Sequence, residues 1–303
     1  YGQLNMQFDV VGPVTLPQPL AYYDAPEEGE SSGDSKVLDF AADACTAAKD
    51  LVDFSKYDWD GDGKVDNVYI LFAGFSEARG ADPNCLWPHQ WVVHDRELVI
   101  DEVRIWNYAC SNELISGGDA PVLDGIGTAC HEFSHTLGLA DIYNTQGGKD
   151  FVGKWDVMSI GSYIGKKWGD GTHPMAYSAF ERWQLGWLEP KALNEVTTIT
   201  EMKALEEEPE AYVLHNEGNT NEYYLLENRQ LPKWGSPFDA HGLLVTHIDY
   251  DKGAWNNNTV NTDIYHQRYS VVGASGEFTE SIDDLFPGTS GNTSFTDVTN
   301  PAS

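Results

Sequence analysis

Apolar residues recur at two different periods along this chain, and the period changes near residue 190. Val37, Leu38, Phe40, Ala41, Ala44, Cys45, Ala48, Leu51 and Val52 keep the spacing of a helix with one buried face, and Ser35 stands before them as a candidate N-cap. Ile126, Ala129, Cys130, Phe133 and Leu137 predict a second helix that begins near Ile126. Tyr177, Phe180, Trp183 and Leu185 predict a third over 176–185. Runs over 8–16, 65–72 and 97–109 read as strands, the first closed by Pro17 and Pro19. Stretches 25–34, 117–121, 147–153 and 165–171, rich in Gly, Pro and polar residues, read as loops. Beyond 190 only short β-rich runs remain, over 196–200, 211–215, 222–227, 242–248 and 269–272. Gly, Pro and Asn separate them, which predicts antiparallel β structure of sandwich type.

The expected fold class is therefore α+β. A mixed first domain covers 1–190, and a β-rich C-terminal domain covers 191–303, with room for further strands beyond its abrupt end. At 303 residues the chain is long enough for both. Its formal net charge of -30 argues against nucleic acid or an anionic membrane as partner, since both would repel it. No apolar run is long enough to span a bilayer, so no transmembrane segment is expected. The chain starts at Tyr1 inside an apparent strand, which suggests a processed fragment of a secreted or cell-surface protein, without its signal peptide and propeptide. Cys45, Cys85, Cys110 and Cys130 show no metal-binding spacing and allow up to two disulfides in three connectivities. Cys130 is expected to point away from the His131 face as a small buried residue.

Candidate chemistry is concentrated in His131-Glu132-Phe133-Ser134-His135-Thr136-Leu137-Gly138-Leu139-Ala140-Asp141. On a helix His131 and His135 share one face and can hold one zinc ion. Glu132 lies beside them, placed to take a proton from a zinc-bound water as general base. Gly138 reaches positive φ without steric cost, so it can end the helix and swing Asp141 back as third ligand. Three protein ligands leave one coordination position open, as catalytic zinc sites do. The competing reading is a helix with two exposed histidines. Downstream, Trp155-Asp156-Val157-Met158-Ser159 is a candidate tight turn carrying a methionine.

A second cluster spans Asp58 to Asp66. Asp58, Asp60 and Asp62 fall at positions 1, 3 and 5 of an EF-hand-like calcium loop, with Gly63 at the sharp turn, the Lys64 carbonyl at 7 and Asp66 at 9. Tyr69 stands where that loop has its bidentate Glu, so a further ligand must come from elsewhere. The alternative is an acidic turn, whose crowded carboxylates repel one another unless a cation neutralises them.

The elongated zinc motif followed by a methionine turn resembles the metzincin metallopeptidases. The Asp in third position, with Tyr57-Asp58-Trp59-Asp60-Gly61-Asp62-Gly63, Trp87-Pro88-His89, Leu185-Gly186-Trp187-Leu188-Glu189-Pro190, Glu227-Asn228-Arg229-Gln230 and His247-Ile248-Asp249, is similar to the M6, immune inhibitor A-like peptidases. The resemblance implies a metzincin-like catalytic domain with a twisted sheet, a zinc helix and a Met-turn at Met158. It also implies zinc-dependent endopeptidase activity on extracellular proteins or peptides. A different class, a non-catalytic calcium-stabilised adhesin on a peptidase fold, predicts eroded ligands or base. A zinc hydrolase of non-peptide amides fits the Met-turn less well.

Overall fold

The structure, a computed structural model, describes residues 3–24, 36–79, 85–116 and 120–303. The loop expected over 25–34, the N-cap Ser35 and most of the loop at 117–121 lie outside the described residues. The fold mixes α and β structure, and Cα packing separates two units. One comprises Leu4–Asp124 with Glu132–Thr136, the other Gly125–His131 with Leu137–Ser303.

In the first unit, helices α1 (Leu20–Asp24) and α2 (Val37–Ala48) precede eight short strands. These are β1 (Lys64–Val65), β2 (Val68–Phe72), β3 (His89–Val92), β4 (Val99–Ile100), β5 (Val103–Ile105), β6 (Asn107–Asn112), β7 (Leu114–Ser116) and β8 (Pro121–Leu123). One sheet runs β2-β6-β3, with β2 parallel and β3 antiparallel to β6; another runs β1-β5-β4; β7 and β8 form a hairpin. The helical stripe of α2 works as its spacing implies. Leu38, Ala41 and Cys45 pack with Phe54, Val65, Ile105 and Tyr108, while Phe40 meets Tyr23 and Phe72 edge to face. Burial pushes the Cys45 thiol up to about 12, as expected of a thiol surrounded by apolar atoms.

Two sequence expectations fail in this unit. The stripe does not carry α2 to Val52: the helix stops at Ala48, Leu51 is exposed, and the Asp53 side chain accepts from Ser55 N–H to cap the next turn. A capping Asp opens a new element, and the old one has to end before it. Residues 8–16 form no strand. Gly12, Pro13 and Pro17 interrupt the run, and proline has no N–H to give a ladder. Val10 is left almost fully exposed, and Phe8 meets the Phe133 ring at 5.7 Å.

The second unit holds helices α3 (Gly127–Thr136, shared by the two units) and α4 (Ala179–Gln184), followed by β9 (Lys191–Ala192), β10 (Tyr212–Asn216), β11 (Asn219–Arg229), β12 (Gly242–Asp249), α5 (Lys252–Asn256) and β13 (Tyr269–Val271). The last five strands form one sheet, β13-β12-β11-β10-β9, antiparallel except where β9 joins β10. The expected second sheet is absent among the described residues. The face it would cover is filled instead: Val213, Tyr223, Leu225, Ile248 and Tyr269 pack with Phe180 of α4 and with Leu139, Ile142 and Met158. The strand expected over 196–200 does not form, because the chain leaves the sheet edge after β9, and Val196 is fully solvent-exposed. Helix α4 begins later than expected, at a Ser178/Glu181 capping box that satisfies the first orphan N–H groups. No helix is long and apolar enough to cross a membrane among the described residues.

Candidate metal centre

The helix that carries both histidines begins under a tight backbone constraint. Gly127 N–H donates to the Gly171 carbonyl at 3.0 Å, and a Cβ on Gly127 would lie 1.7 Å from the Ser162 carbonyl oxygen. Only glycine permits that approach. The helix ends at Thr136, and Gly138 follows with φ +94°. This left-handed residue turns the chain back toward the helix face it has just left.

The result is the convergence that the motif spacing predicts. His131, His135 and Asp141 each offer one donor atom, and these atoms lie within 4.8 Å of one another. His131 Nε2 stands 3.0 Å from Asp141 Oδ1. Donor atoms around a tetrahedral zinc at about 2.0–2.1 Å are about 3.4 Å apart, so the spacing suits a small divalent cation. The donor set also fits, because imidazole nitrogen and carboxylate oxygen are ordinary zinc ligands. Glu132, buried in the same helix, adjoins His131 in sequence and lies three residues before His135.

The surrounding shell fixes the candidate ligands. His131 Nδ1 is 2.8 Å from the Val157 carbonyl, which can only accept, so Nδ1 carries the proton and Nε2 keeps its lone pair for a metal. The Tyr143 ring lies beside the imidazole, with centroids 6.3 Å apart. Met158 is fully buried in the apolar cluster with Leu139 and Ile142, and its carbonyl accepts from Ile142 N–H at 3.1 Å. The turn around Met158 therefore touches both arms of the site: Val157 holds His131, and Met158 holds the residue after Asp141.

At the acidic loop, Asp58, Asp60 and Asp62 also bring carboxylate oxygens within 4.8 Å of one another. Gly61 and Gly63 have φ of +75° and +82°, as the sharp turn requires. Asp58 Oδ1 is buried and accepts no hydrogen bond. Asp66, not one of these three convergent carboxylates, accepts from Trp59 N–H through Oδ2 at 2.8 Å. The Lys64 ammonium lies 2.5 Å from Asp62 Oδ2, and this bond holds the Asp62 carboxyl below its usual range.

The family profile for the immune inhibitor A peptidase M6 catalytic domain matches residues 2–188. This chain belongs to the M6 peptidase family. Immune inhibitor A of Bacillus thuringiensis subsp. alesti is 30% identical in an alignment of 192 positions that covers 54% of this chain and 27% of that protein. Pre-pro-metalloprotease PrtV of Vibrio cholerae serotype O1 (strain M66-2) is 30% identical over 142 residues, 42% of this chain and 15% of that protein. The alignments thus span less than a third of either relative. Membership makes this M6 chain a metallopeptidase homologue, and it implies zinc for a donor set that can hold a metal.

Two features of this M6 chain escape sequence reasoning. One is Asn258, whose side chain bonds Asp141 twice across 117 positions of sequence. Nothing local to either residue signals that pairing. The other is a buried ionic cluster behind the Met158 turn. Asp156 Oδ1 accepts from Met158 N–H at 2.8 Å, and Glu181 lies beside Asp156. Burial, then the Asp156 charge, pushes the Glu181 carboxyl well above the usual carboxylate range. Nearby, Arg229 is fully buried and donates to Glu227 at 2.5 Å. A signal for this part did exist. Along β11, Tyr223, Leu225, Glu227 and Arg229 share one parity, so two charges sit on the apolar face. The His173 imidazole, after the Met158 turn, bonds Thr172 Oγ1 at 3.0 Å and is not part of the cluster of donors.

Proposed function

We propose that this chain is a zinc-dependent endopeptidase whose zinc is held by His131, His135 and Asp141, with Glu132 as general base. The observation that carries the reading is the convergence of two helical imidazoles and one turned-back carboxylate beside a buried glutamate. Zinc bound there supplies Lewis acidity, polarising the scissile carbonyl and acidifying the attacking water. Glu132 takes the proton from that water and delivers it to the leaving amine nitrogen as the C–N bond breaks. Both steps need the carboxylate close to the reacting atoms, and its position in the zinc helix beside His131 provides this. Met158 forms the apolar floor of the site and binds no metal.

The substrates on this reading are extracellular proteins or peptides, and the protein is secreted or displayed at the cell surface. The family and the name of the Vibrio relative, a pre-pro-metalloprotease, support this. We assign catalysis to a metzincin-like segment, 1–190, and a supporting role to the β-rich segment 191–303. The family match ends at 188 and the five-stranded sheet begins at Lys191, which supports that boundary. Calcium is proposed at Asp58, Asp60, Asp62 and the Lys64 carbonyl. Asp66 is proposed there as a further ligand; the bond from Trp59 N–H occupies its Oδ2 only.

The adhesin reading predicts a degraded site, and the intact donor set speaks against it. The deciding experiment pairs metal analysis with digestion of an unstructured protein such as casein. Wild type is expected to carry one zinc per chain and to cleave, and His135→Ala to lose both. A wild type that carries no zinc after dialysis against micromolar zinc, or that carries zinc and cleaves nothing, would overturn the assignment.

A further inference from the structure

We propose that Asn258 is the positioning residue for the third metal ligand, dividing the two oxygens of Asp141 so that Oδ1 alone faces the metal. The inference rests on the zinc reading above.

His131 and His135 are held by a helix. Asp141 is not, because the helix has ended and the chain around Ala140 to Tyr143 belongs to no regular element. Its position depends on tertiary contacts, and Asn258 supplies two. Asp141 N–H donates to Asn258 Oδ1 at 2.7 Å, and Asn258 Nδ2 donates to Asp141 Oδ2 at 2.7 Å. One carboxamide thus holds the backbone and the side chain of the ligand together. A carboxamide suits this role because it carries a donor and an acceptor side by side in one plane.

The consequence is chemical. A carboxylate has two equivalent oxygens, and both could turn toward a cation. The Nδ2 bond reserves Oδ2, and Oδ1 is left 3.0 Å from His131 Nε2, on the side of the donor cluster. Asp141 is 6% exposed, so bulk water is poorly placed to replace the lost bond.

Asn258 is itself fixed. Its φ is +55°, a left-handed conformation that Asn tolerates better than most residues, and its N–H donates to the Trp255 carbonyl at the end of α5. Three residues on, buried Asn261 repeats the grip. Its Nδ2 donates to the Ile142 and Tyr269 carbonyls, both at 2.7 Å, and its Oδ1 accepts from Tyr269 N–H at 3.0 Å. The segment 258–261 therefore holds both residues 141 and 142. It lies in the part of the chain beyond the family match, which ends at 188.

The test measures zinc affinity by competition with a chromogenic chelator, and thermal melting of the metal-free protein. Asn258→Gly is the cleanest variant, because glycine accepts the positive φ and removes only the side chain. It should weaken zinc by about 10–100-fold, the usual effect of removing a group that orients a ligand. Asn258→Asp keeps the acceptor for Asp141 N–H but sets a carboxylate against Oδ2. It should weaken zinc at least as much, and it decides the matter if the glycine variant does not fold. A merely structural role would lower the metal-free melting temperature and leave zinc affinity within about twofold; that result overturns the proposal. His135→Ala is the control. If wild type binds zinc and His135→Ala does not, but both Asn258 variants bind as wild type, only this inference fails. If wild type binds no zinc, the metal reading fails and this inference with it.

Discussion

His131 Nδ1 and the Val157 carbonyl lie 2.8 Å apart, and this contact joins the first candidate metal ligand to the turn that carries Met158. The bond fixes both the tautomer and the ring plane of His131, so Nε2 faces Asp141 before any metal arrives. A site organised in this way needs little rearrangement on loading, and its proposed base can be tested separately from its proposed ligands.

Glu132→Gln should retain zinc and fold while losing almost all hydrolysis. Glutamine has nearly the shape of glutamate but cannot carry the proton, and general acid–base groups contribute about 10²–10⁴-fold. Peptide cleavage rates measured beside zinc stoichiometry check this. A variant that cleaves within tenfold of wild type would remove Glu132 from the mechanism.

The two glycines that bracket the zinc helix should fail in different ways. Gly138→Ala meets no atom within 4 Å and pays only for its φ of +94°, at about 1–2 kcal/mol. Gly127→Ala drives a Cβ to 1.7 Å from the Ser162 carbonyl oxygen, so backbone has to move. The cost should be larger, at or above the roughly 1–3 kcal/mol of ordinary overpacking. Denaturant melts of the metal-free variants give both numbers, and equal losses would contradict the steric account.

Calcium should raise the melting temperature if the Asp58–Asp60–Asp62 cluster binds it. A ligand at 100 times its dissociation constant stabilises by about 2.7 kcal/mol. Asp60→Asn, which removes one charge from the cluster, should shrink the shift. Unchanged melting with calcium, in wild type and variant alike, would leave only an acidic turn.

Stability should also fall as pH rises, and Glu181 is the reason to look. Its folded carboxyl titrates well above the usual range, chiefly because of burial. A raised folded pKa contributes stability that is complete below the unfolded value and is lost as pH climbs through the folded one. Glu181→Gln keeps an acceptor for Ser178 N–H, a bond of 2.7 Å in the wild type, and cannot ionise. Above the ordinary glutamate range the variant should gain on wild type as pH increases. Melting curves across that range test it; a constant gap would show that Glu181 does not titrate there.

The helix carrying His131 and His135, its glycine stop and the return of Asp141 were legible in the sequence because all three are local. Periodicity sets the shared face of His131 and His135, and the positive φ of Gly138 is a property of glycine itself. The Asp58–Asp60–Asp62 convergence was legible for the same reason, since its spacing is that of one turn. Boundaries were less so. The ends of α2 and α4 were decided by Asp53 and Ser178, whose side chains chose among competing backbone donors. Residues 8–16 and 196–200 read as strands but are not, because a strand exists only where another edge accepts its hydrogen bonds. Tertiary structure alone decided what meets over long separations. It covered the C-terminal sheet with α4 and the Met158 turn instead of a second sheet, set Val157 against His131, and brought Asn258 to Asp141. No periodicity encodes such pairs. They are selected by the packing of a whole core, and a buried carboxylate takes whichever donor that packing brings within reach.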